Sequence, residues 1–392
     1  MEFRRVIRDG IEYRFDPLTN EQCRINPRRA KRVKQVENPD KVGAESGIEL
    51  DEIIRKSKEG CVFCPQLIEE KTPEFPPDIS PDGRIKRGET IIFPNLNPFG
   101  ENHAVGIITT EHFLPLDEFS ERQLMDNLIA SINYIRRVYE NNRDARFPIY
   151  IWNYMPPSAG SIIHPHVQIM VEGEPLPQQR LLLDKSLEYF QQNGSNYWTD
   201  LIEAEKEPGG GLRSKPLSEA NHKTKSLVNG VNRFILANNS LALIASFAPR
   251  GFNEIQFIFP EISSFMDLTD AHIVDFVQSL KTVLVGYKEM GIGSFNLVTY
   301  SGPMDESLDY YCFNMKLISR PFPRCVYTND TGPMERLYDV RVIDTLPEQL
   351  AEKMRSITNR RLCTDILLAR NLCQRFPKVT QRDGFAQKVV HL

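Results

Sequence analysis

Two histidines separated by one proline stand in the sequence GSIIHPHVQ, residues 160–168, of a chain that has only seven histidines. The β-branched and aromatic residues on either side, IYIWN and IMV, predict a strand. Residues i and i+2 of a strand point to the same face, so His164 and His166 are expected to face the same way. Because proline cannot donate a hydrogen bond to a neighbouring strand, we expect an edge or a distorted stretch of sheet, where backbone is free to meet a ligand.

A pair of cysteines, Cys61 and Cys64 in GCVFCP, has the CxxC spacing of a metal knuckle or of a redox pair. A redox pair would follow a strand and precede a thioredoxin-like βαβ unit, and neither pattern is evident. Two ordinary buried thiols are the third interpretation. A structural zinc site is closed by four ligands, so two more would be needed. The histidines in this half of the chain are His103, His112, His164 and His166.

The two histidines of HPH can share a metal or divide the work. If both bind the same zinc, His166 has no free lone pair left for chemistry. If only His164 binds, His166 is held beside a rigid site with one nitrogen free to attack, and histidine can act as a nucleophile that forms a covalent intermediate. The alternative without chemistry is a pair of packed, hydrogen-bonded histidines in a strand.

Gln168 is the third residue on the same face of the predicted strand. Its amide can donate or accept hydrogen bonds but cannot deliver a proton to a leaving group. That favours transfer between phosphates over acid-assisted hydrolysis, with Gln168 holding a phosphoryl oxygen; an ordinary surface glutamine is the alternative. A basic run near the N-terminus either clamps phosphates or is a solvated face. The run consists of Arg28, Arg29, Lys31, Arg32 and Lys34.

The composition excludes several classes of protein. The 392 residues suffice for two or three domains, and 41% hydrophobic with 26% charged residues is typical of a globular chain. The sequence has no apolar run long enough to span a bilayer and no apolar signal core at MEFRRVIRDG, which predicts a cytoplasmic protein without a membrane partner. A net charge of -4 argues against a nucleic-acid binder, and seven scattered cysteines argue against a disulfide framework.

The same order of elements occurs twice. Strands ETIIFPN and HAVGIITT, a helix from Ser120 to about Tyr139 and the HPH strand are followed by a linker or exposed loop at 206–230. Then come NRFILANN, FNEIQFIFP, the helix DLTDAHIVDFVQSLKTVLVGYKEM, and strands FNLVTY and CFNMKLISR. A shift of 150 residues lays NMKLI at 314 over HPHVQ, which indicates an internal duplication with its HPH chemistry only in the first copy.

The predicted domains are 1–205, which carries the zinc site and HPHVQ, 231–356 as a degenerate repeat, and a tail at 357–392.

HPHVQ, CVFC, the repeated halves and the opening RFDPLTNEQCRINPRRAKR together resemble the galactose-1-phosphate uridylyltransferase family of the histidine triad superfamily. The likeness runs from about residue 13 to about residue 356 and includes WNYMPPSAGSIIHPHVQ and NEIQFIFPEISSFMDLTDAH. The resemblance implies an α+β fold of two pseudo-repeated histidine-triad-like halves, each an antiparallel sheet flanked by helices, and a homodimer.

The resemblance also implies a ping-pong nucleotidyl transfer. In that family the second histidine of HPH attacks the α-phosphorus of UDP-glucose, and the uridylyl group then passes to galactose 1-phosphate. Carried over, His166 is the nucleophile and Gln168 contacts the phosphate. One zinc site is implied, with His112 preferred to His103 because TEHFLPLDEFS matches the family's segment; its ligands are Cys61, Cys64, His112 and His164. Positions that match the family's substrate-binding residues are Arg29, Arg32, Asn95, Asn153, Gly160 and Ser161.

Two departures from the family bear on metal and substrate. Asn314 and Lys316 stand where some members have a second HxH metal motif, so no second metal is expected. Leu96 replaces the acid of the family's F-x-N-D segment, which leaves the base open. A phosphorylase that transfers adenylyl groups from an ADP-sugar or a dinucleoside polyphosphate is therefore the alternative, followed by a nucleotide-binding protein without turnover. The expected partners are a nucleotide sugar and a sugar 1-phosphate or phosphate.

Overall fold

The structure is a computed structural model that describes residues 1–32, 50–207, 232–324 and 327–375. The strands are, in chain order, β1 (Arg5–Arg8), β2 (Ile11–Phe15), β3 (Gln22–Ile25), β4 (Ile85–Arg87), β5 (Thr90–Pro94), β6 (Ala104–Ile107), β7 (Phe147–Tyr154), β8 (His166–Glu172), β9 (Phe234–Ala237), β10 (Ala242–Ala245), β11 (Phe252–Ile258), β12 (Phe295–Tyr300), β13 (Asn314–Ser319) and β14 (Arg341–Ile343). The helices are α1 (Leu50–Lys58), α2 (Ile68–Lys71), α3 (Glu121–Asn141), α4 (Pro177–Asn193), α5 (Tyr197–Lys206), α6 (Asp270–Glu289), α7 (Pro333–Leu337) and α8 (Pro347–Arg375).

A ten-stranded sheet in the order β4-β5-β6-β8-β7-β12-β13-β11-β10-β9 forms the framework. All of its neighbouring strands pair antiparallel. Read outward from the junction of β7 with β12, the two halves have the same connectivity, which confirms the predicted duplication. The two antiparallel sheets that the sequence predicted are joined edge to edge, and residue Asn153 of β7 lies opposite Asn296 of β12 at that junction.

Helices α3 and α6 cover one face of this sheet. Each begins with a capping box, formed by Ser120 with Gln123 in α3 and by Thr269 with His272 in α6. The helix predicted from Ser120 to about Tyr139 is observed at Glu121–Asn141. The strand residues Val167, Ile169 and Val171 belong to the same apolar core as the buried side of α3. Because side chains alternate along a strand, His166 and Gln168 of β8 point to the opposite face.

The N-terminal strands pack on the second half of the chain. Strands β1, β2 and β3 form a four-stranded sheet with β14, and β3 pairs parallel with it. Helix α8 continues across the predicted boundary at residue 356, and its buried residues Leu350, Met354 and Ile357 join the main core. Most of the predicted linker, Lys34 of the basic run and residues 376–392 lie outside the described residues. In the part that is described, no helix has the length and hydropathy needed to cross a membrane.

Candidate active site and metal centre

Four side chains from three parts of the first half meet in one buried cluster. Cys61 and Cys64 lie in the turn that connects α1 to α2, where the Cys64 N–H donates to the Cys61 carbonyl over 3.2 Å. His112 follows β6, and His164 lies two residues before the first residue of β8. All four are buried, and one ligand atom from each lies within 4.8 Å of the others. The residues that the resemblance implied as metal ligands are therefore brought together.

The spacing of the ligand atoms suits a tetrahedral metal ion. Cys64 Sγ lies 3.5 Å from His112 Nδ1 and 3.6 Å from His164 Nδ1, and Cys61 Sγ lies 4.0 Å from His164 Nδ1. Metal–sulfur bonds of about 2.3 Å and metal–nitrogen bonds of about 2.0 Å at tetrahedral angles separate S and N by about 3.5 Å. The cluster can hold one metal ion, and two cysteines with two histidines are typical zinc ligands.

Hydrogen bonds at the far side of each ring turn the correct nitrogen toward the thiols. His164 Nε2–H donates to the Thr109 carbonyl over 2.8 Å. His112 Nε2 lies 2.9 Å from Ser57 Oγ, and the Ser57 hydroxyl itself donates to the Ile54 carbonyl, so Ser57 accepts from His112. Both Nδ1 atoms consequently keep a lone pair for a metal ion, which is the usual arrangement of ligating histidines. Burial and the neighbouring Cys61 raise the pKa of the Cys64 thiol to about 11, so metal binding must displace a proton there.

Replacing Cys64 with serine is expected to remove the bound metal. The purified wild type should carry about one equivalent of zinc, and the variant much less, with an unfolding midpoint lowered by roughly 5 °C because metal binding contributes to folding. Elemental analysis and thermal unfolding check both results. Cys312→Ser is the matched control: its buried thiol donates to the Pro260 carbonyl over 3.5 Å, which a hydroxyl can also do. Equal metal content in Cys64→Ser and Cys312→Ser would contradict the assignment of the cluster.

His166 lies on β8 beside the metal cluster but outside it. Its Nδ1–H donates to the His164 carbonyl over 2.7 Å, which leaves a lone pair on Nε2. The ring meets the edge of Phe63 at a centroid distance of 5.2 Å, and only 6% of the residue is exposed. Burial lowers the pKa of His166, so the neutral imidazole predominates at pH 7. The two histidines of HPH thus have different partners, a thiol pair for His164 and a backbone carbonyl for His166.

The structure places Gln168 and Asn95 around a histidine that the sequence could not assign. His103 is one of the four histidines that the sequence left as possible metal ligands, but it is not in the metal cluster. Its Nε2 lies 3.0 Å from Gln168 Oε1 and 3.1 Å from Asn95 Nδ2. Asn95 and Gln168, two of the predicted site residues, therefore lie together on the His166 face of the sheet.

A tight loop after β7 carries Gly160 and Ser161, two more predicted substrate-binding residues. A side chain at Gly160 would place its Cβ 3.0 Å from the Asn153 carbonyl, so the close approach of the two backbone segments requires glycine there. Met155 and Ala159 have φ values of 70° and 68°, which non-glycine residues rarely adopt. Strained backbone conformations of this kind concentrate at functional sites. Here they accompany a turn that brings the loop back toward Asn153, a predicted substrate-binding residue.

The predicted phosphate-binding arginines lie near the second half of the same chain. Arg29 is in a short 3₁₀ turn, Pro27–Lys31, and Arg32 follows it. Arg32 lines a cavity of about 190 Å³ together with Ser319 and Arg320. The strand of Ser319, β13, lies three strand spacings from β8, or about 14 Å. The role of Arg29 and Arg32 at His166 stays a prediction.

A second cavity, of about 360 Å³, opens beside β12 in the second half. Lys316 stands there at the position that His166 occupies in the first copy, and its Nζ lies 2.9 Å from Glu254 Oε1. Arg320 pairs with Asp330 over 2.7 Å in the same cavity. The second half thus has a cavity at this place that is lined with ion pairs.

Comparison with known proteins relates most of the chain to one group of structures. No family model matches it. An uncharacterized protein of Archaeoglobus fulgidus is 27% identical over 354 residues, which is 90% of this chain and 94% of the relative. The structure of an ADP-glucose phosphorylase from Arabidopsis thaliana with bound ADP-glucose is similar with a TM-score of 0.63 at 20% identity, over 88% of this chain and 98% of that one.

A structure of a uridylyltransferase is similar to nearly the same extent. Its TM-score is 0.60 at 19% identity, over 89% of this chain and 99% of that one. Both similarities span the two halves of the ten-stranded sheet. The chain therefore has the fold of the uridylyltransferase and ADP-glucose phosphorylase structures, which confirms the fold implied by its resemblance to the galactose-1-phosphate uridylyltransferase family.

Proposed function

We propose that the protein is a nucleotidyltransferase that works by a ping-pong mechanism through a covalent nucleotidyl-His166. The observation that carries the proposal is that the two histidines of HPH have different partners and therefore different roles. His164 turns its Nδ1 to the thiols of the metal cluster, whereas His166 donates its Nδ1–H to the His164 carbonyl and keeps the Nε2 lone pair. A histidine held in this way is oriented for nucleophilic attack.

The proposed first step joins His166 Nε2 to the α-phosphorus of a nucleoside diphosphate sugar. The bond from that phosphorus to the bridging oxygen breaks, and the sugar 1-phosphate leaves with the electron pair. In the second step an oxygen of the acceptor phosphate attacks the same phosphorus and releases His166. A phosphate leaving group needs no proton from an acid, so the amide of Gln168 can serve by donating hydrogen bonds to the phosphoryl oxygens.

The metal cluster supports this chemistry without taking part in it. Four protein ligands complete a tetrahedral site and leave no open position for substrate, which is the arrangement of a structural zinc. Zinc bound there would fix the position of His164. The His164 carbonyl in turn accepts the Nδ1–H of His166 and sets the orientation of the nucleophile.

For the substrates, uridylyl transfer from UDP-glucose to a hexose 1-phosphate is our first assignment, in a homodimer. The resemblance of HPHVQ, and of the loop that carries Asn153, Gly160 and Ser161, to the galactose-1-phosphate uridylyltransferase family supports it. An adenylyl-transferring phosphorylase is the second candidate. It is favoured by Leu96, which replaces the acid of the family's base-binding segment and is 71% exposed. The similarity to the ADP-glucose phosphorylase structure also supports it.

Intact-protein mass spectrometry after brief incubation with UDP-glucose, and separately with ADP-glucose, tests the function and the base together. A uridylyl adduct from UDP-glucose is the expected result. An adenylyl adduct alone would replace the first assignment by the second. Absence of an adduct with both donors, combined with nucleotide binding in calorimetry, would overturn the proposal in favour of a nucleotide-binding protein without turnover.

A further inference from the structure

We propose that His103 is a positioning residue that fixes which end of the Gln168 amide faces the reacting phosphate. The inference deepens the proposed function and rests on it. His103 comes directly before β6, and Val105 of that strand lies opposite Gln168 of β8. Side chains two residues apart share a face, so the strand pairing brings the His103 ring diagonally next to Gln168 on the His166 face of the sheet.

A backbone donor determines the tautomer of the His103 ring. The Phe99 N–H points at His103 Nδ1 over 3.3 Å, so Nδ1 accepts and the hydrogen of the neutral ring is on Nε2. The Phe99 side chain also packs edge-on against the ring at a centroid distance of 4.5 Å. Burial lowers the pKa of His103, which keeps the ring neutral at pH 7.

The Nε2–H of His103 has two side-chain neighbours, and only one of them can accept. Asn95 uses its Oδ1 to accept from the Asn97 N–H over 2.9 Å, so the end of Asn95 that lies 3.1 Å from the ring is its NH₂ group. Gln168 Oε1, at 3.0 Å, is then the acceptor. With its oxygen occupied, Gln168 presents its NH₂ group, a double donor, to the open side of the site.

This arrangement matters because the amide has two ends of opposite polarity. Rotated by 180° about its last bond, Gln168 would direct a carbonyl oxygen at the phosphoryl oxygens and repel them. Donors that are already oriented need no rearrangement as charge shifts in the transition state. His103 thus acts through Gln168 and needs no contact with substrate.

A double-mutant cycle on the rate of adduct formation, with whichever donor labels the wild type, tests the inference. His103→Leu is expected to slow labelling by about tenfold to 100-fold, the range found for side chains that orient a functional partner. His103→Gln should recover part of the loss because its amide can still donate to Gln168. In a Gln168→Ala background, His103→Leu should change the rate by less than about twofold. Multiplicative effects of the two substitutions would overturn the inference.

A second measurement separates this inference from the proposed function. Nitrogen shifts of the His103 ring in the ¹⁵N-labelled wild type report the tautomer without any substrate, and the hydrogen is expected on Nε2. The Gln168 side-chain amide signals should move in His103→Leu, while metal content and unfolding midpoint stay close to those of the wild type. A hydrogen on Nδ1, or an unmoved Gln168 signal, overturns the role of His103 even if adduct formation is confirmed. If neither donor labels the wild type although nucleotide binds in calorimetry, the proposed function fails, and the nuclear magnetic resonance result alone decides whether His103 orients the Gln168 amide.

Discussion

Replacing His166 with glycine is expected to abolish the nucleotidyl adduct and to lower turnover by about 10⁴-fold to 10⁶-fold, the loss that follows removal of a covalent nucleophile. The described neighbours of His166 cannot replace it as a nucleophile. Gln168 lacks a nucleophilic lone pair, and His164 turns Nδ1 to the thiols and Nε2–H to the Thr109 carbonyl. His103 accepts from the Phe99 N–H at Nδ1 and carries its hydrogen on Nε2. Intact-protein mass spectrometry and steady-state kinetics check the two results.

Metal content and the unfolding midpoint serve as controls that show whether the His166→Gly protein is folded. His166 is not a member of the metal cluster, so one equivalent of metal should remain. His272→Gln serves as the activity control, since His272 lies at the exposed start of α6 in the second half and should not affect labelling. Labelling of the His166→Gly variant at a rate near that of the wild type would show that another residue is the nucleophile.

Local patterns predicted the elements that build the candidate active site. β-branched and aromatic residues identified the strand β8, and helical periodicity identified α3 within two residues at its C-terminal end. The strand begins only at His166, so His164 lies before it, and β8 pairs with β6 and β7 inside the sheet and does not lie at an edge. The CxxC spacing needed only two further ligands, and resemblance supplied them. The strand and helix predictions succeeded because each depends on residues close together in the chain, and the four predicted metal ligands lie in one cluster.

Contacts between distant segments were beyond the sequence. In the parallel pairing of β3 with β14, Cys23 lies opposite Arg341, and no short-range sequence pattern predicts such a contact. His103 is a similar case, since its partner Gln168 is 65 residues away. The sequence does contain a signal for this contact. Once β6 and β8 are paired with Val105 opposite Gln168, the alternation of side chains along β6 places His103 on the His166 face of the sheet.

A buried network of ion pairs ties the N-terminal strands to the rest of the fold. Arg14 of β2 lies 3.0 Å from Glu348 of α8, and Arg233 lies 3.0 Å from the same Glu348 oxygen. Arg233 also lies 2.8 Å from Glu205 of α5. Arg233 and Glu205 are fully buried, so each is the other's close counter-charge away from solvent. Burial raises the pKa of Glu205 to about 7 in spite of Arg233, whereas Arg14 and Arg233 hold the pKa of Glu348 at about 2.

Replacing Arg233 with methionine is expected to lower the free energy of unfolding by about 3–5 kcal/mol. Glu205 then loses its counter-charge and is buried either as an unpaired carboxylate or as an acid that has taken up a proton, and each form costs free energy. The Glu205 Oε2 atom already has no hydrogen-bond donor among the described residues, so no second partner there can replace the arginine. Urea denaturation followed by circular dichroism measures the change. Lys56→Met, which breaks an exposed pair with Glu52 of 2.8 Å on α1, is the matched control and should cost less than about 0.5 kcal/mol.

The double variant Arg233→Met with Glu205→Met distinguishes an unpaired charge from lost packing. If the unpaired Glu205 side chain causes the destabilisation, removing it should recover more than half of the lost free energy of unfolding. Apolar replacement of a whole buried ion pair is often close to neutral. The Arg233 guanidinium also lies 4.6 Å above the Phe3 ring and 4.9 Å above the Phe247 ring, contacts that methionine retains only in part. A double variant as unstable as Arg233→Met would assign the loss to these aromatic contacts and to the lost pair with Glu348, and not to the unpaired Glu205 side chain.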